Sequence, residues 1–275
     1  MTAHETSASP AALLDLARDI AERAAGVALE ARRKGISIAA TKSTPTDVVT
    51  AVDRDTETLI RSLILDARPD DGILGEEEDT HVGTSGIDWV VDPIDGTVNL
   101  LYGIPAWSVS VAVVQGPPDP AHWRALAGVV VNPVSGEVYE ASAGGGARRN
   151  GVAIHPNPDV ALSRALVATG FGYAAEQRQR QARALLHLLP RVRDIRRIGS
   201  AALDLCWVAS GRLDAFYESG LNPWDHAAGA LIAREAGAIV GGAGGGPESS
   251  ELLIAAAASV YDDLAALIAE AQAGA

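Results

Sequence analysis

Apolar and polar residues repeat with two different periods along this chain. Residues 10–34 carry apolar side chains at helical spacing, with Ser9 suited to cap the start and Gly35 to stop the end. A second helical pattern covers residues 47–67. These two patterns predict a pair of amphipathic helices before the first strand.

Short apolar runs bounded by turn residues follow the two helices and predict an antiparallel meander. They lie at 73–74, 89–91, 108–114, 125–131 and 137–141. From about residue 160, strands alternate with helices, which predicts a second and more parallel α/β layer. Its strands are expected at 166–168, 192–196, 215–217, 238–240 and 252–256, and its helices at 174–189, 200–210, 225–236 and 259–272. We therefore expect one domain with an N-terminal half at about 10–155 and a C-terminal half at about 160–275.

Composition narrows the class of protein. The 275 residues include 22 basic and 35 acidic side chains, a net charge of −13, which argues against a nucleic-acid binder. The single cysteine, Cys206, cannot form an internal disulfide, so we expect a reducing, cytoplasmic setting. The first ten residues lack the features of a secretory signal, and no apolar run reaches the ~18 residues of a membrane span. Neither a Gly-Lys-Ser/Thr phosphate loop nor a dinucleotide-binding glycine motif is present.

Acidic residues are concentrated between positions 66 and 95, where ten acids accompany one basic residue. Most of such a cluster is typical of a solvated surface. Glu76 and Asp92 differ from the others because they follow apolar runs. Asp92 comes directly after the run 89–91, and Glu76 comes after the run 73–74 and a single glycine. Both should therefore lie at strand ends and point toward one place.

The segment 92–97, Asp-Pro-Ile-Asp-Gly-Thr, is the most informative one. Carboxylates at Asp92 and Asp95 can converge, and two carboxylates ~4 Å apart repel by roughly 4 kcal/mol at an effective dielectric of 20. A shared proton, basic partners or metal ions could neutralise them. No basic residue is near, and oxygen ligands without a Cys or His cluster favour Mg²⁺ over zinc. Gly96 and Thr97 open a short helical run whose amides could hold a phosphoryl group.

An Asp-x-x-Asp pair alone is more typical of a capped turn than of a metal site. Here it occurs with two other elements, Gly-Glu-Glu at 75–77 and Trp-Asp-His-Ala-Ala-Gly at 224–229. In this order, with Asp-Pro-Ile-Asp-Gly-Thr-Val-Asn at 92–99, the elements resemble those of the inositol monophosphatase family. Segments 45–50 and 199–202 resemble two further family elements.

The resemblance implies a fold and a set of roles. The fold would be α/β, a layered α/β/α/β/α sandwich, with an antiparallel sheet in the N-terminal half and a more parallel one in the C-terminal half. Two or three Mg²⁺ ions would be held by Glu76, Asp92, the carbonyl of Ile94, Asp95 and Asp225. The catalytic residues would be Asp47, Glu76 and Thr97. Substrate would be bound by Asp95, Gly96, Thr97, Ala201 and Glu218, with Glu77 behind the metal ligands.

The implied activity is Mg²⁺-dependent, lithium-sensitive hydrolysis of a small phosphomonoester, most naturally inositol 1-phosphate, by an activated water in a homodimer. Histidinol phosphate or a sugar or nucleotide bisphosphate are alternative substrates. A basic cluster at Arg191, Arg193, Arg196 and Arg197 could hold a second phosphate or simply be solvated. A regulatory relative without activity is a third alternative.

Several of these residues also have structural explanations. Asp47 could cap the second helix, and Glu218 could be a surface acid on a strand. His226 adjoins the proposed ligand Asp225, but neighbouring side chains on a helix point apart, so we expect a structural role for it. Cys206 falls on an apolar helical face and is predicted to be a core residue.

Overall fold

The computed structural model describes residues 9–35, 38–41, 48–117 and 119–273. They form seven α-helices and fourteen β-strands. The helices are α1 (Pro10–Lys34), α2 (Ala51–Ala67), α3 (Thr97–Tyr102), α4 (Ala175–Leu188), α5 (Ala201–Ala209), α6 (Pro223–Ala236) and α7 (Ala258–Ala273). The strands are β1 (Ile38–Thr41), β2 (Val48–Thr50), β3 (Gly72–Gly75), β4 (Ile87–Asp95), β5 (Ser108–Gln115), β6 (Arg124–Asn132), β7 (Glu137–Ser142), β8 (Gly146–Arg149), β9 (Val152–Ala153), β10 (Leu166–Thr169), β11 (Asp194–Arg196), β12 (Ala215–Glu218), β13 (Ile239–Gly241) and β14 (Leu253–Ala256).

The first helix has the ends that the sequence predicts. The Ser9 hydroxyl accepts a hydrogen bond from the amide of Ala12 at 3.3 Å, which satisfies one amide of the first turn. Gly35 follows the last turn with φ +101°, a conformation that disfavours side chains. Leu13 and Ile20 are buried on the face that packs on the first sheet.

The second helix begins later than predicted. It starts at Ala51, since residues 48–50 form β2, which pairs antiparallel with β1. Thr50 and Asp53 form a capping box at its start, with the Thr50 amide donating to Asp53 Oδ2 at 2.9 Å. Ile60 and Ile64 are its fully buried apolar residues. The helical period was correctly identified, but the N-terminal boundary was wrong because the capping box was overlooked.

The first sheet has seven strands in the order β3-β4-β5-β6-β7-β8-β9. Its pairs are antiparallel except for β3 and β4, which are parallel. Helices α1 and α2 cover one face and α5 and α6 the other. The backbone of α6 approaches very closely at Gly128, where a Cβ would lie 3.0 Å from Cα of Ala228.

The second sheet has the order β11-β10-β12-β14-β13. Strand β10 is parallel to β11 and β12, whereas β14 is antiparallel to both of its neighbours. Helix α7 covers its outer face together with α4. Buried residues of α5 and α6 contact both sheets in one hydrophobic core, so this helix pair is the middle of five layers. The predicted α/β/α/β/α arrangement is confirmed.

None of the described helices is long and apolar enough to cross a membrane. The layered arrangement brings the ends of β3, β4 and β12 together with the starts of α3, α5 and α6, and a cavity opens there.

Candidate active site

A cavity of about 850 Å³ lies where the two sheets and the middle helix layer meet. It collects almost all the residues that the sequence singled out. Those among its lining residues are Glu76, Asp92, Ile94, Asp95, Gly96, Thr97, Ala201, Glu218 and Asp225. Side chains from both halves of the chain therefore face one space.

Asp92 and Asp95 reach the cavity through an irregularity in β4. Asp92 pairs with Ser110 and Asp95 with Ser108, so three steps along β4 match two steps along β5. Residues three apart on a regular strand point to opposite faces, and the extra residue of a β-bulge removes that difference. The segment 92–95 thus belongs to β4, which extends beyond the strand end predicted at Val91. The Ile94 amide also donates to Asp92 Oδ1 at 3.0 Å, which fixes this carboxylate.

Asp95 is held from the other half of the chain. Its Oδ2 accepts hydrogen bonds from the hydroxyl of Ser200 at 2.6 Å and from the amide of Ala202 at 2.7 Å. Ser200 also caps α5 by accepting from the amide of Leu203 at 3.3 Å. The carboxylate therefore lies at the N-terminus of α5, where the helix dipole favours negative charge.

Glu76 follows β3, and its loop is anchored from below by α2. The buried Glu57 carboxylate accepts from the amides of Glu77 at 2.8 Å and Glu78 at 3.0 Å. Arg61 donates to the same carboxylate at 2.8 Å and neutralises it. A side chain at Gly75 would displace this carboxylate, because a Cβ there would lie 2.3 Å from Glu57 Oε1. Glu57 thus fixes the backbone around Glu76.

Gly96 lines the cavity where the two halves of the chain contact each other. Its φ of +100° favours glycine, and a Cβ would lie 3.1 Å from the carbonyl oxygens of Ala106 and Gly199. Thr97 begins α3, and its hydroxyl lies 2.8 Å from Asp53 Oδ1 and 3.2 Å from the carbonyl oxygen of Ile94. Gly96 and Thr97 are where the sequence predicted a phosphate cradle.

The partner of Thr97 was predicted to be Asp47. That residue lies outside the described residues, so its role stays a prediction. The structure places another carboxylate, Asp53, against the Thr97 hydroxyl. Asp53 is fully buried and is also the N3 residue of the α2 capping box.

Asp225 and Glu218 come from the second half. Asp225 lies in the first turn of α6 and accepts from the amide of Asn222 at 2.6 Å. Glu218 is the last residue of β12. A Cβ at Gly170 would lie 1.9 Å from Glu218 Oε2, so a side chain at this position would displace the Glu218 carboxylate.

Burial and mutual repulsion raise the pKa of these carboxyl groups. Burial raises the pKa of Asp95 to about 6, although the hydrogen bonds from Ser200 and Ala202 oppose the shift. Burial, followed by the charges of Glu76 and Asp95, raises the pKa of Asp225 well above its usual range. These groups retain protons that solvated carboxylates would lose.

Glu218 behaves in the same way. Burial raises its pKa to about 8, opposed by the nearby Arg197 guanidinium and reinforced by Asp95. Beneath the cavity, burial and the charge of Glu218 raise the pKa of Asp204 well above its ordinary value. Ionising all of these carboxyl groups together is therefore costly, and a bound cation would lower that cost.

A divalent cation fits the donor chemistry of this site. The predicted ligands are the carboxylates of Glu76, Asp92, Asp95 and Asp225 with the Ile94 carbonyl, an all-oxygen set that suits Mg²⁺. No three of the described His, Cys, Asp and Glu side chains are gathered tightly enough to form a ready-made metal cluster.

The predicted basic cluster does not act as a unit. Arg197 lines the cavity, whereas Arg191 pairs with Glu270 and Arg196 with Asp194. Arg193 lines a separate groove. A second-phosphate pocket made of all four arginines is therefore excluded by their positions.

His226 and Cys206 have the structural roles that the sequence predicts. His226 is buried and packs against the ring of Trp123 at a centroid distance of 6.4 Å. Burial lowers its pKa to about 4, so it is neutral near pH 7. Cys206 is fully buried in the core between the sheets.

Sequence reasoning missed Asp53 and Glu57. Asp53 carries a recognisable signal, since Thr-x-x-Asp before an apolar run is a capping box. Glu57 carries none, because its partners Glu77 and Glu78 are 20 and 21 residues away and the sequence alone does not show the contact.

Comparison with known proteins agrees with the site. Residues 10–273 match the sequence profile of the inositol monophosphatase family. The inositol-1-monophosphatase SuhB of Mycobacterium tuberculosis is 47% identical over 249 residues, 84% of this chain and 84% of that protein. The Nus factor SuhB of Salmonella typhimurium is 38% identical over 234 residues, 83% of this chain and 84% of that protein.

The fold agrees as well. The solved structure of Mycobacterium tuberculosis SuhB matches with a TM-score of 0.79 at 43% identity, covering 96% of this chain and 98% of that one. This chain therefore belongs to the inositol monophosphatase family, a family of phosphatases.

Proposed function

We propose that this protein hydrolyses small phosphomonoesters in a Mg²⁺-dependent reaction, with inositol 1-phosphate as its first expected substrate. The observation that carries the proposal is the convergence of four carboxylates and the Gly96-Thr97 turn on one cavity. Family membership and the name of the 47% identical relative support the inositol phosphate assignment.

Different residues would bind the metal and the phosphoryl group. Glu76, Asp92, Asp95, Asp225 and the Ile94 carbonyl would hold the metal. When bound, Mg²⁺ lowers the pKa of water and balances charge on phosphoryl oxygens.

The remaining residues orient the reactants. The backbone at Gly96 and Thr97 would position the phosphoryl group, since α3 begins there. The Thr97 hydroxyl, held beside Asp53, would orient the attacking water, and Asp47 is proposed to act with it. Glu218 and the backbone near Ala201 would contact hydroxyl groups of the leaving alcohol, and Glu77 would support the ligand Glu76.

The test measures phosphate release from inositol 1-phosphate, glycerol 2-phosphate and histidinol phosphate with purified protein. We expect turnover that is lost in chelator and restored by excess Mg²⁺. The Asp95→Asn variant should show little turnover, and additional Mg²⁺ should restore part of it. Full activity in chelator would overturn the metal-dependent mechanism.

A second candidate function is regulatory binding without turnover. It is favoured by one observation, the name of the Salmonella typhimurium relative as a Nus factor. Against it, the cavity retains a group of carboxylates that is costly to bury together unless a cation binds there. If the wild-type protein releases no phosphate from any of the three esters in the presence of Mg²⁺, the regulatory function is the one that the measurements support.

We also propose a homodimer in the cytoplasm, as the family resemblance implies. Light scattering of the purified protein measures the mass directly, and a monomer at micromolar concentration would contradict the assembly.

A further inference from the structure

Two serines interrupt the apolar residues of β5, and both belong to the same face of the first sheet. Ser108 and Ser110 alternate with valines that pack toward α1 and α2. Their own face continues in Ala112 and Val114, which pack in the core against α5 and α6. Both serines are buried. A hydroxyl in such a place is costly unless a hydrogen bond compensates for its loss of solvent.

Each of these serines lies opposite a carboxylate of β4. In the antiparallel pairing, Ser108 is matched with Asp95 and Ser110 with Asp92. Directly opposed residues of an antiparallel pair project to the same face, with Cβ atoms about 4.5–5.5 Å apart. Rotation about a single bond therefore brings a serine hydroxyl toward the side chain that it opposes.

The first serine has a partner that explains its burial. Ser108 Oγ lies 3.3 Å from Ser200 Oγ, and the Ser200 hydroxyl donates to Asp95 Oδ2 at 2.6 Å. Because a hydroxyl carries a single hydrogen, Ser108 must be the donor to Ser200. Ser108 thus supports the Asp95 carboxylate through Ser200.

The second serine has no such partner in the part of the chain that the structure describes. The Ser110 hydroxyl is shielded from solvent and makes no hydrogen bond there. An unsatisfied buried hydroxyl lowers the stability of the folded state, whereas an apolar residue of similar size would not. The stability of the metal-free fold therefore does not account for a serine at this position.

Asp92, the residue that Ser110 opposes, is one of the predicted Mg²⁺ ligands. Its Oδ1 already accepts from the amide of Ile94 at 3.0 Å. A carboxylate has about four acceptor positions, so it can accept from a serine while it coordinates a cation. Hydrogen bonds to a metal ligand from behind orient it and help to set the affinity of the site.

We propose that Ser110 is a positioning residue of the metal site, and that its hydroxyl donates to the Asp92 carboxylate when Mg²⁺ is bound. This inference rests on the proposed Mg²⁺-dependent function and adds a residue that no motif indicated. Ser110 acts through Asp92 and does not contact the substrate. The same hydroxyl should therefore weaken the metal-free fold and strengthen the binding of Mg²⁺.

The test compares Ser110→Ala with Thr56→Val. Thr56 is a matched control, since its hydroxyl is also buried and makes no hydrogen bond with the described residues, but it lies on α2. Tm is measured in chelator and through a Mg²⁺ titration without substrate, so turnover does not enter the result. Both variants should be at least as stable as the wild type in chelator. Ser110→Ala should need about tenfold more Mg²⁺ for the half-maximal rise in Tm, and Thr56→Val should need no more than the wild type.

The outcomes separate the role of Ser110 from the proposed function. An unchanged Mg²⁺ requirement in Ser110→Ala, or an equal change in Thr56→Val, would overturn the role of Ser110 and leave the metal-dependent function intact. A large loss of Tm in chelator for Ser110→Ala would show that the hydroxyl stabilises the fold, and would also overturn it. If Mg²⁺ at millimolar concentrations does not raise the Tm of the wild type, the proposed metal site fails, and the role of Ser110 fails with it.

Discussion

Thr97 and Asp53 show how one hydrogen bond can connect folding and chemistry. Asp53 Oδ2 caps α2 through Thr50, and its Oδ1 lies 2.8 Å from the Thr97 hydroxyl. A buried carboxylate that accepts from both sides is fully engaged, so it fixes the rotamer of Thr97. The geometry makes Asp53 the described residue best placed to orient this hydroxyl.

The first prediction separates these two tasks. Thr97→Ala and Asp53→Asn should each lower kcat by about 10²–10³, the range for losing a positioned polar group. Thr97→Ser keeps the hydroxyl and should remain active. Because the pair acts as a unit, the double variant should be little worse than either single one.

Thr50→Ala is the matched control, because it removes the cap hydroxyl without touching Thr97. It should lower the free energy of unfolding by about 1 kcal/mol and leave kcat nearly unchanged. Asp47→Asn measured alongside shows whether Asp47 shares the role. Strictly additive losses for Thr97 and Asp53 would mean that Asp53 only caps α2.

Helix α2 is the element that supports the site from below. Its first turn holds Asp53 against Thr97, and one turn later Glu57 accepts two amides from the loop after β3. Both carboxylates are fully buried. The position of α2 therefore fixes the positions of the Glu76 loop and of α3. Loss of the Glu57–Arg61 ion pair within α2 should therefore weaken metal binding.

The second prediction concerns this support. Glu57→Gln keeps the size of the side chain but removes the charge that pairs with the buried Arg61. Breaking a buried ion pair costs up to about 3–5 kcal/mol of unfolding free energy, because the remaining charge is uncompensated. The Mg²⁺ concentration for half-maximal activity should also rise several-fold as the Glu76 loop loosens.

Urea unfolding and Mg²⁺ titration measure the two effects. Glu78→Gln serves as the control, since Glu78 lies 3.6 Å from Arg61 with a side chain that is 44% exposed, and little change is expected. If Glu57→Gln loses stability but keeps the wild-type Mg²⁺ requirement, α2 does not position Glu76.

At the scale of the whole molecule, the two halves contribute charges of the same sign to one interface. Glu76, Asp92 and Asp95 come from the first half, and Glu218 and Asp225 from the second. Packing the halves together therefore brings carboxylates together, and burial with the neighbouring charges raises the pKa values of Asp95, Glu218 and Asp225. The fold opposes their ionisation, and ionisation in turn should destabilise the fold.

The third prediction is a stability change with pH in the absence of divalent cations. The pKa of Glu218 is about 8 when folded, above its ordinary value. Stability is therefore greatest where the carboxyl is protonated in both states and falls as pH rises toward 8, because only the unfolded chain releases its proton freely. Between pH 5.5 and 8 in chelator, Tm should fall by several °C.

Glu218→Gln should reduce this slope, because it removes one of the titrating groups. Glu251→Gln, an exposed acid just before β14, is the control and should keep the wild-type slope. Calorimetry at several pH values provides the measurement. A wild-type Tm that stays flat or rises up to pH 8 in chelator would show that burial does not hold Glu218 protonated.

The sequence alone determined the local features of this protein. Helix α1 begins after Ser9 and ends before Gly35, as the sequence predicted, because capping residues act on adjacent backbone groups. The candidate Mg²⁺ ligands within 92–97 were also chosen from residue types in one short segment, and their role stays a prediction. The five-layer fold followed from the resemblance rather than from periodicity.

Only the tertiary structure decided which distant groups meet. The β-bulge that directs Asp92 and Asp95 to one face depends on pairing with β5, and Asp95 meets Ser200 across 105 residues. Thr97 meets Asp53 across 44 residues. The charge pattern suggested a four-arginine cluster, but of these four only Arg197 lines the cavity. Local rules act through neighbouring backbone atoms, whereas these contacts exist only once segments far apart in the chain have packed together.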